Sequence, residues 1–182
     1  MSYIFFWGHS PTDPYSEFSQ WYPCPFVENG VVFPTAEHYM MYHKALLFDP
    51  SLASAILQAG HPSEAKALGR QLKGFSREKW DPVCDQVVEQ GNYLKFSQNP
   101  AAKKVLLETR GSGLVEASPE DRIWGIGYGA HDALENKDNW GENRLVNGDI
   151  TKAECLKGSP RMGLALTRAR ERLLKEETET EK

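Results

Sequence analysis

The segment Phe33-Pro34-Thr35-Ala36-Glu37-His38-Tyr39-Met40-Met41-Tyr42-His43-Lys44 decides how this chain is read, because it opens a helix and puts an acid and an amine on one face of it. Pro34 keeps the incoming chain extended, and Thr35 is placed to accept a hydrogen bond from an early helical amide as the N-cap. Seven residues apart, Glu37 and Lys44 lie about 20° apart around the helix and about 10 Å apart along its axis. That is too long for an ordinary salt bridge. Both groups would instead reach toward a small ligand lying over the helix, with Met41 between them. The bland alternative, and on spacing alone the commoner one, is a solvated charged face with Tyr39 and Tyr42 packing elsewhere.

Working outward, 182 residues suit a single domain, and a domain of that size buries roughly 70% of the surface its unfolded chain exposes. Hydrophobic residues at 40% and charged residues at 25% are ordinary for a globular protein and exclude disorder and a membrane protein as classes. The start, Met1 to Trp7, has no basic region and too short an apolar run for a signal peptide or a spanning helix, so a cytoplasmic location is expected. Cys24, Cys84 and Cys155 are scattered and read as free thiols. A net charge of -4 argues against broad binding along nucleic-acid backbones and leaves room for a local phosphate pocket. Trp7, Trp21, Tyr22, Trp124, Tyr128 and Trp140 fall in turn-rich segments, where flat rings either line a pocket for a flat ligand or pack a loop on the core.

The patterning predicts short strands at Ile4–Trp7, Val31–Phe33 and Leu114–Ala117. It predicts helices at Ser51–Ala59, Pro62–Lys73, Arg77–Phe96, Pro100–Thr109 and Met162–Leu174. Gly91 is a weak point in the longest of these, and Ser76 is its expected cap. Residues 118–145 lack periodicity, and so long a loop in a small domain is often functional. Residues 146–162 read as an insertion and 176–182 as a charged tail that frays.

Beyond Glu37 and Lys44, Gly69-Arg70 with Lys73 gathers positive charge at a helix end, where a guanidinium suits phosphate; a solvated helix end is the commoner case. Trp80 reads as a core anchor before a stacking ring. Asp121-Arg122-Ile123-Trp124-Gly125-Ile126-Gly127 sets an acid three residues before a tryptophan in a glycine-rich loop, which serves function or loop packing equally well. Trp140-Gly141-Glu142-Asn143-Arg144 adds an amide and a guanidinium. There is no Walker-type loop, dinucleotide fingerprint or nucleophile elbow. His9, His38, His43, His61 and His131 form no ligand-spaced cluster with Cys or acids, so a structural metal is not expected. His38 and His43 lie off the Glu37 face and read as packing or surface residues.

Phe18-Ser19, Phe33 to Tyr39, Lys44, Ala65 to Arg70, Trp80-Asp81, Lys95-Phe96, Leu114-Val115-Glu116, Asp121 to Gly125 and Asn143-Arg144-Leu145, in this order, resemble the NADAR, or YbiA-like, family from about Ile4 to Leu174. The resemblance implies an α+β, predominantly helical fold: one compact domain over residues 1–175 with a few short strands. It implies an N-glycosidase that splits the bond between a ribose C1 and a nitrogenous base, and no cofactor. Substrates of similar proteins are ADP-ribosylated guanine in nucleic acid or ribosylated intermediates of riboflavin biosynthesis. The family pattern points to Glu37, Trp80, Asp121 and Trp124 as active-site residues, with Lys44 as a candidate nucleophile; Glu37, Lys44 and Asp121 are then expected in catalysis, and Arg70, Trp80, Trp124, Gly125, Asn143, Phe18 and Ser19 in substrate binding. Neither a membrane nor an obligate protein partner is expected. The chain departs from the pattern at Gln20, where many relatives carry asparagine, and at the 146–162 insertion, which puts substrate preference in doubt more than reaction type. A module that binds ADP-ribose without cleaving it is the alternative of another class.

Overall fold

The computed structural model describes residues 2–140 and 161–180, so Asn143 and most of the 146–162 insertion lie outside the described residues. The elements are β1 (Tyr3–Phe6), β2 (Phe26–Glu28), β3 (Val31–Phe33), α1 (Ala36–Phe48), α2 (Ala53–Gln58), α3 (Pro62–Arg70), α4 (Arg77–Gln98), α5 (Pro100–Glu108), β4 (Gly113–Glu116) and α6 (Arg161–Thr180). Short 3-10 turns occupy Ser16–Phe18, Pro50–Leu52 and Lys137–Asn139. The class is α+β with helices dominating.

Helix α1 sits at the centre because its first six residues, Ala36 to Met41, are all buried, and a segment apolar or covered all round must have neighbours on every side. Those neighbours are α2, α3 and α4, and α4 in turn packs on α5 and α6. Along α4 the buried residues Trp80, Cys84, Val88, Asn92 and Lys95 recur every three or four positions, the period of one helical face. Gly91 on that helix, a weak point by propensity, is the place where Tyr39 packs: a Cβ there would stand 2.7 Å from the Tyr39 ring.

Strands β1 and β4 pair in parallel, from Tyr3 opposite Gly113 to Phe6 opposite Glu116. A parallel pair needs a crossover, and here the crossover contains the hairpin and all of α1 to α5. Buried Arg170 of α6 ties the start of β4 down by donating to the Thr109 carbonyl (2.7 Å), the Thr109 hydroxyl (2.9 Å) and the Ser112 carbonyl (3.1 Å). The second pair, β2 with β3, is a hairpin turning at Asn29 (φ 50°) and Gly30 (φ 80°); both are left-handed, as a tight two-residue turn requires.

Several boundaries differ from the sequence expectation. Strand β2 was not anticipated. Helix α3 ends at Arg70 rather than Lys73, and Ser76 makes no side-chain cap. Helix α6 continues to Thr180, so residues 176–180 of the stretch read as a fraying tail are helical. Its acids are docked: Glu176 accepts from the Tyr93 hydroxyl at 3.0 Å, and Glu177 pairs with Lys103 at 2.7 Å.

Gly91→Ala gains up to about 1 kcal/mol of helix propensity but drives a methyl into a ring fixed by hydrogen bonds from Tyr39 to both Glu28 oxygens. Overpacking costs about 1–3 kcal/mol, so urea unfolding is expected to show a net loss. A variant at least as stable as wild type would show that Tyr39 gives way.

Candidate active site

The first turn of α1 is built as its sequence implies. Thr35 is extended (φ -145°), its hydroxyl accepts from the His38 amide, and its carbonyl accepts from the Tyr39 amide at 3.3 Å. The Glu37 amide donates elsewhere, to the Gln20 carbonyl at 3.0 Å. The strap carrying Gln20 is held from α4, where Asn92 accepts from the Gln20 side-chain amide at 3.0 Å and Lys95 donates to the Ser19 carbonyl at 2.8 Å. The Ser19 hydroxyl accepts from the Trp21 amide at 3.2 Å. With the turn so covered, Glu37 is 4% exposed and its Oε1 has no hydrogen-bond partner.

Burial pushes the Glu37 carboxyl up to about 7; Lys66, the Trp21 N–H and Lys44 pull it down, and Asp121 pushes it further up. A second carboxyl, Glu116 at the end of β4, is pushed up to about 8 by burial, then by Asp121 and Glu37, against Lys66. Its Oε2 is likewise buried without a partner. Lys66 and Glu116 lie inside the family motifs, and nothing local in the sequence gives either a role. Their proximity to Glu37 arises from α3 packing on α1 and from the parallel β1–β4 closure, which no local pattern reveals.

The loop after β4 is shaped by Asp121. Its Oδ1 accepts from the Ile123 amide (2.8 Å) and the Trp124 amide (2.9 Å), while its charge stays close enough to raise both glutamates. Gly125 fits where no side chain does: a Cβ would stand 2.9 Å from the Asp121 carbonyl and 3.0 Å from that of Glu116. Trp124 is half-buried with the Arg161 guanidinium 4.5 Å from its ring centre. Trp21 is ringed by His9 and His61, at 5.5 and 5.7 Å between ring centres, with the Lys66 amine 5.8 Å away.

Lys44 is half-buried, donates to the Gly69 carbonyl at 2.9 Å and lies 4.3 Å from the Phe75 ring centre. Burial lowers its pKa and outweighs the opposing pull of Glu37; Arg70 adds to the lowering. Met41 packs directly on Gly69, so α3 covers the part of α1 between Glu37 and Lys44. Arg70 is exposed at the end of α3. Phe18 lies between Phe6 and Phe96 in the main core, and Trp80, 8% exposed, belongs to the same core. Trp140 is a core residue of the smaller cluster, its indole donating to the Ala133 carbonyl at 2.8 Å. His38 is tied to Thr35 and to the Ala59 carbonyl, and His43 to Glu28, both packing roles. Among the described residues Cys24 and Cys84 are free, no group of three His, Cys, Asp or Glu could hold a metal ion, and no helix is long and apolar enough to cross a membrane.

The NADAR domain model matches residues 5–174. The chain belongs to the NADAR family. N-glycosidase R617 of Acanthamoeba polyphaga mimivirus is 44% identical over 158 residues, which cover 82% of this chain and 93% of the relative. N-glycosidase YbiA of Escherichia coli K12 is 32% identical over 119 residues, 65% of this chain and 73% of YbiA. The riboflavin biosynthesis protein PYRR of Zea mays is 42% identical over 110 residues, 55% of this chain and 18% of that protein. The NMR structure of E. coli YbiA matches with a TM-score of 0.72 at 29% identity, covering 98% of this chain and 88% of YbiA. This NADAR protein is accordingly a glycosidase of N-glycosyl bonds.

The raised Glu37 value has a definite consequence for stability. Folded Glu37 titrates at about 7 against an ordinary 4.5, so the folded state holds the proton more tightly. Its contribution is complete below the ordinary value and is lost as pH rises through the folded one. The loss is on the order of 3 kcal/mol, and Glu116 acts in the same direction. Glu37→Gln is expected to flatten the fall in stability between about pH 5 and about pH 8 in urea unfolding; a slope equal to wild type would contradict a dry, protonatable Glu37.

Proposed function

We propose that this NADAR protein hydrolyses the bond between ribose C1 and a nitrogenous base, and that it releases ADP-ribose from ADP-ribosylated guanine. The observation that carries this reading is the buried, unpartnered carboxyl oxygen of Glu37, flanked by the indole of Trp21 and the charge of Lys66. Cleaving an N-glycosidic bond builds positive charge on the ribose ring, and a carboxylate waiting without a protein partner is free to face that charge. Exclusion of water at Glu37 strengthens the interaction.

Asp121 holds the loop that presents Trp124 and Gly125, and Trp124 and Trp21 are flat surfaces for a base or ribose. Arg70, exposed and bordering Lys44, suits a phosphate. Lys44 has a second role open to it, since an amine made easier to deprotonate by burial can attack C1 or its open-chain aldehyde and form an imine that water hydrolyses.

A second substrate, the ribosylated pyrimidine intermediates of riboflavin biosynthesis, is favoured by the similarity to PYRR of Zea mays. Both substrates are offered to the purified chain, with free ADP-ribose and free ribose phosphate as the respective products. Faster release of ADP-ribose supports the first reading, and turnover of the pyrimidine alone overturns it. Glu37→Gln is expected to lower turnover about 100-fold or more. Borohydride added during turnover is expected to trap substrate on wild type but not on Lys44→Ala; no adduct, together with a fully active Lys44→Ala, rules the imine out.

A further inference from the structure

Trp124 offers a flat surface to a ligand only if the plane of its ring is fixed, and it stands in the loop after β4 rather than in a helix or strand. Its backbone is held from both sides. The amide donates to Asp121 Oδ1 at 2.9 Å, and the carbonyl accepts from the Met162 amide at 3.1 Å, which ties the loop to the start of α6. The ring is held as well: Arg161, the first residue of α6, lies over the indole with its guanidinium carbon 4.5 Å from the ring centre. Trp124 packs against the main core yet stays half-buried, so part of its ring remains open to a ligand.

Arg161 is itself immobilised. Its Nε donates to Asp85 Oδ1 at 2.7 Å and its Nη2 to Cys84 Sγ at 2.8 Å, both partners on α4. Cys84 is buried in the core, so one tooth of the guanidinium fork is anchored in the interior and the other on a carboxylate at the surface. A planar group pinned at two points is a rigid plate, which a lysine amine on a flexible stem is not. The side chain of Arg161 is 11% exposed whereas that of Asp85 is 50% exposed. Taking the guanidinium out of water has a cost, and an ion pair with a partner half in water returns little stability. What the arrangement does supply is a fixed plane for the Trp124 ring.

We propose that Arg161 is a positioning residue of this site: it locks the Trp124 indole in the plane on which the base of the substrate stacks, and touches no reacting atom. This rests on the reading of Trp124 as a surface for the base. The base stays stacked before and during cleavage of its bond to C1, so the lock serves ground state and transition state alike. Its loss therefore weakens binding and leaves the bond-breaking step nearly as fast.

A double-mutant cycle tests this, read on base release from whichever ribosylated substrate wild type turns over. Arg161→Gln is expected to raise KM about 10-fold, within the worth of one aromatic–base stack, with kcat little changed. Trp124→Ala is expected to raise KM at least as much, and the double variant no further, because Arg161 acts through Trp124. Two independent structural losses would add instead. With 5-fluorotryptophan incorporated, the fluorine resonance that is absent from Trp124→Ala is expected to shift and broaden in Arg161→Gln. A wild-type KM for Arg161→Gln, or full additivity in the double variant, overturns the proposal. Should Arg161→Gln fail to fold, Asp85→Ala removes the surface anchor alone, and a raised KM with a displaced Trp124 resonance is expected; wild-type values of both overturn the proposal. Failure of the underlying reading looks different, since Trp124→Ala would then itself keep the wild-type KM.

Discussion

A carboxyl kept dry at the first turn of a helix is the constraint on which this molecule turns. Helix N-termini ordinarily favour an anion, through the dipole and free amides. Here the amides of Glu37, His38 and Tyr39 are already committed to Gln20 and Thr35. With those three amides committed, burial outweighs the dipole and the carboxyl holds its proton to about 7. Keeping it dry engages much of the fold: α4 through Asn92 and Lys95, and the strap through Ser19 to Trp21.

Lys95 shows how far this goes. It is fully buried, its amine is drawn down to about 8 by burial, and it spends a hydrogen bond on the Ser19 carbonyl. A buried ammonium is costly unless its geometry is needed, and its position behind the strap supplies the need. Gln20 fits the same scheme. Its side chain reaches Asn92 and its carbonyl takes the Glu37 amide, so it joins the strap to both α4 and α1.

What the sequence made legible was local. Pro34-Thr35 announced the start of α1, the spacing of Trp80, Cys84 and Val88 announced α4, and the ordered motifs announced the family. Strand β2 was hidden because three residues after Pro23-Cys24-Pro25 show no alternation, although Asn29-Gly30 carried the hairpin signal. The end of α6 was misjudged because charged residues that look like a solvated tail find partners on α4 and α5. Glu37 was legible as an acid on a helix. Glu116 and Lys66 were not legible as its neighbours, because strand closure over more than a hundred residues and the packing of α3 on α1 bring them there. Met41 and Gly69, in contact between two helices, sit between Glu37 and Lys44 for the same reason.

The central claim is that Glu37 is the carboxyl that meets the reacting ribose carbon. A crystal structure of Glu37→Gln bound to uncleaved ADP-ribosylated guanosine tests it most directly. The ribose C1 is predicted to lie about 3.5 Å from the side chain at position 37, the separation of reacting groups poised for attack, with the base against Trp21 or Trp124. A ribose held elsewhere, its C1 nearer to Lys44 than to position 37, would contradict it.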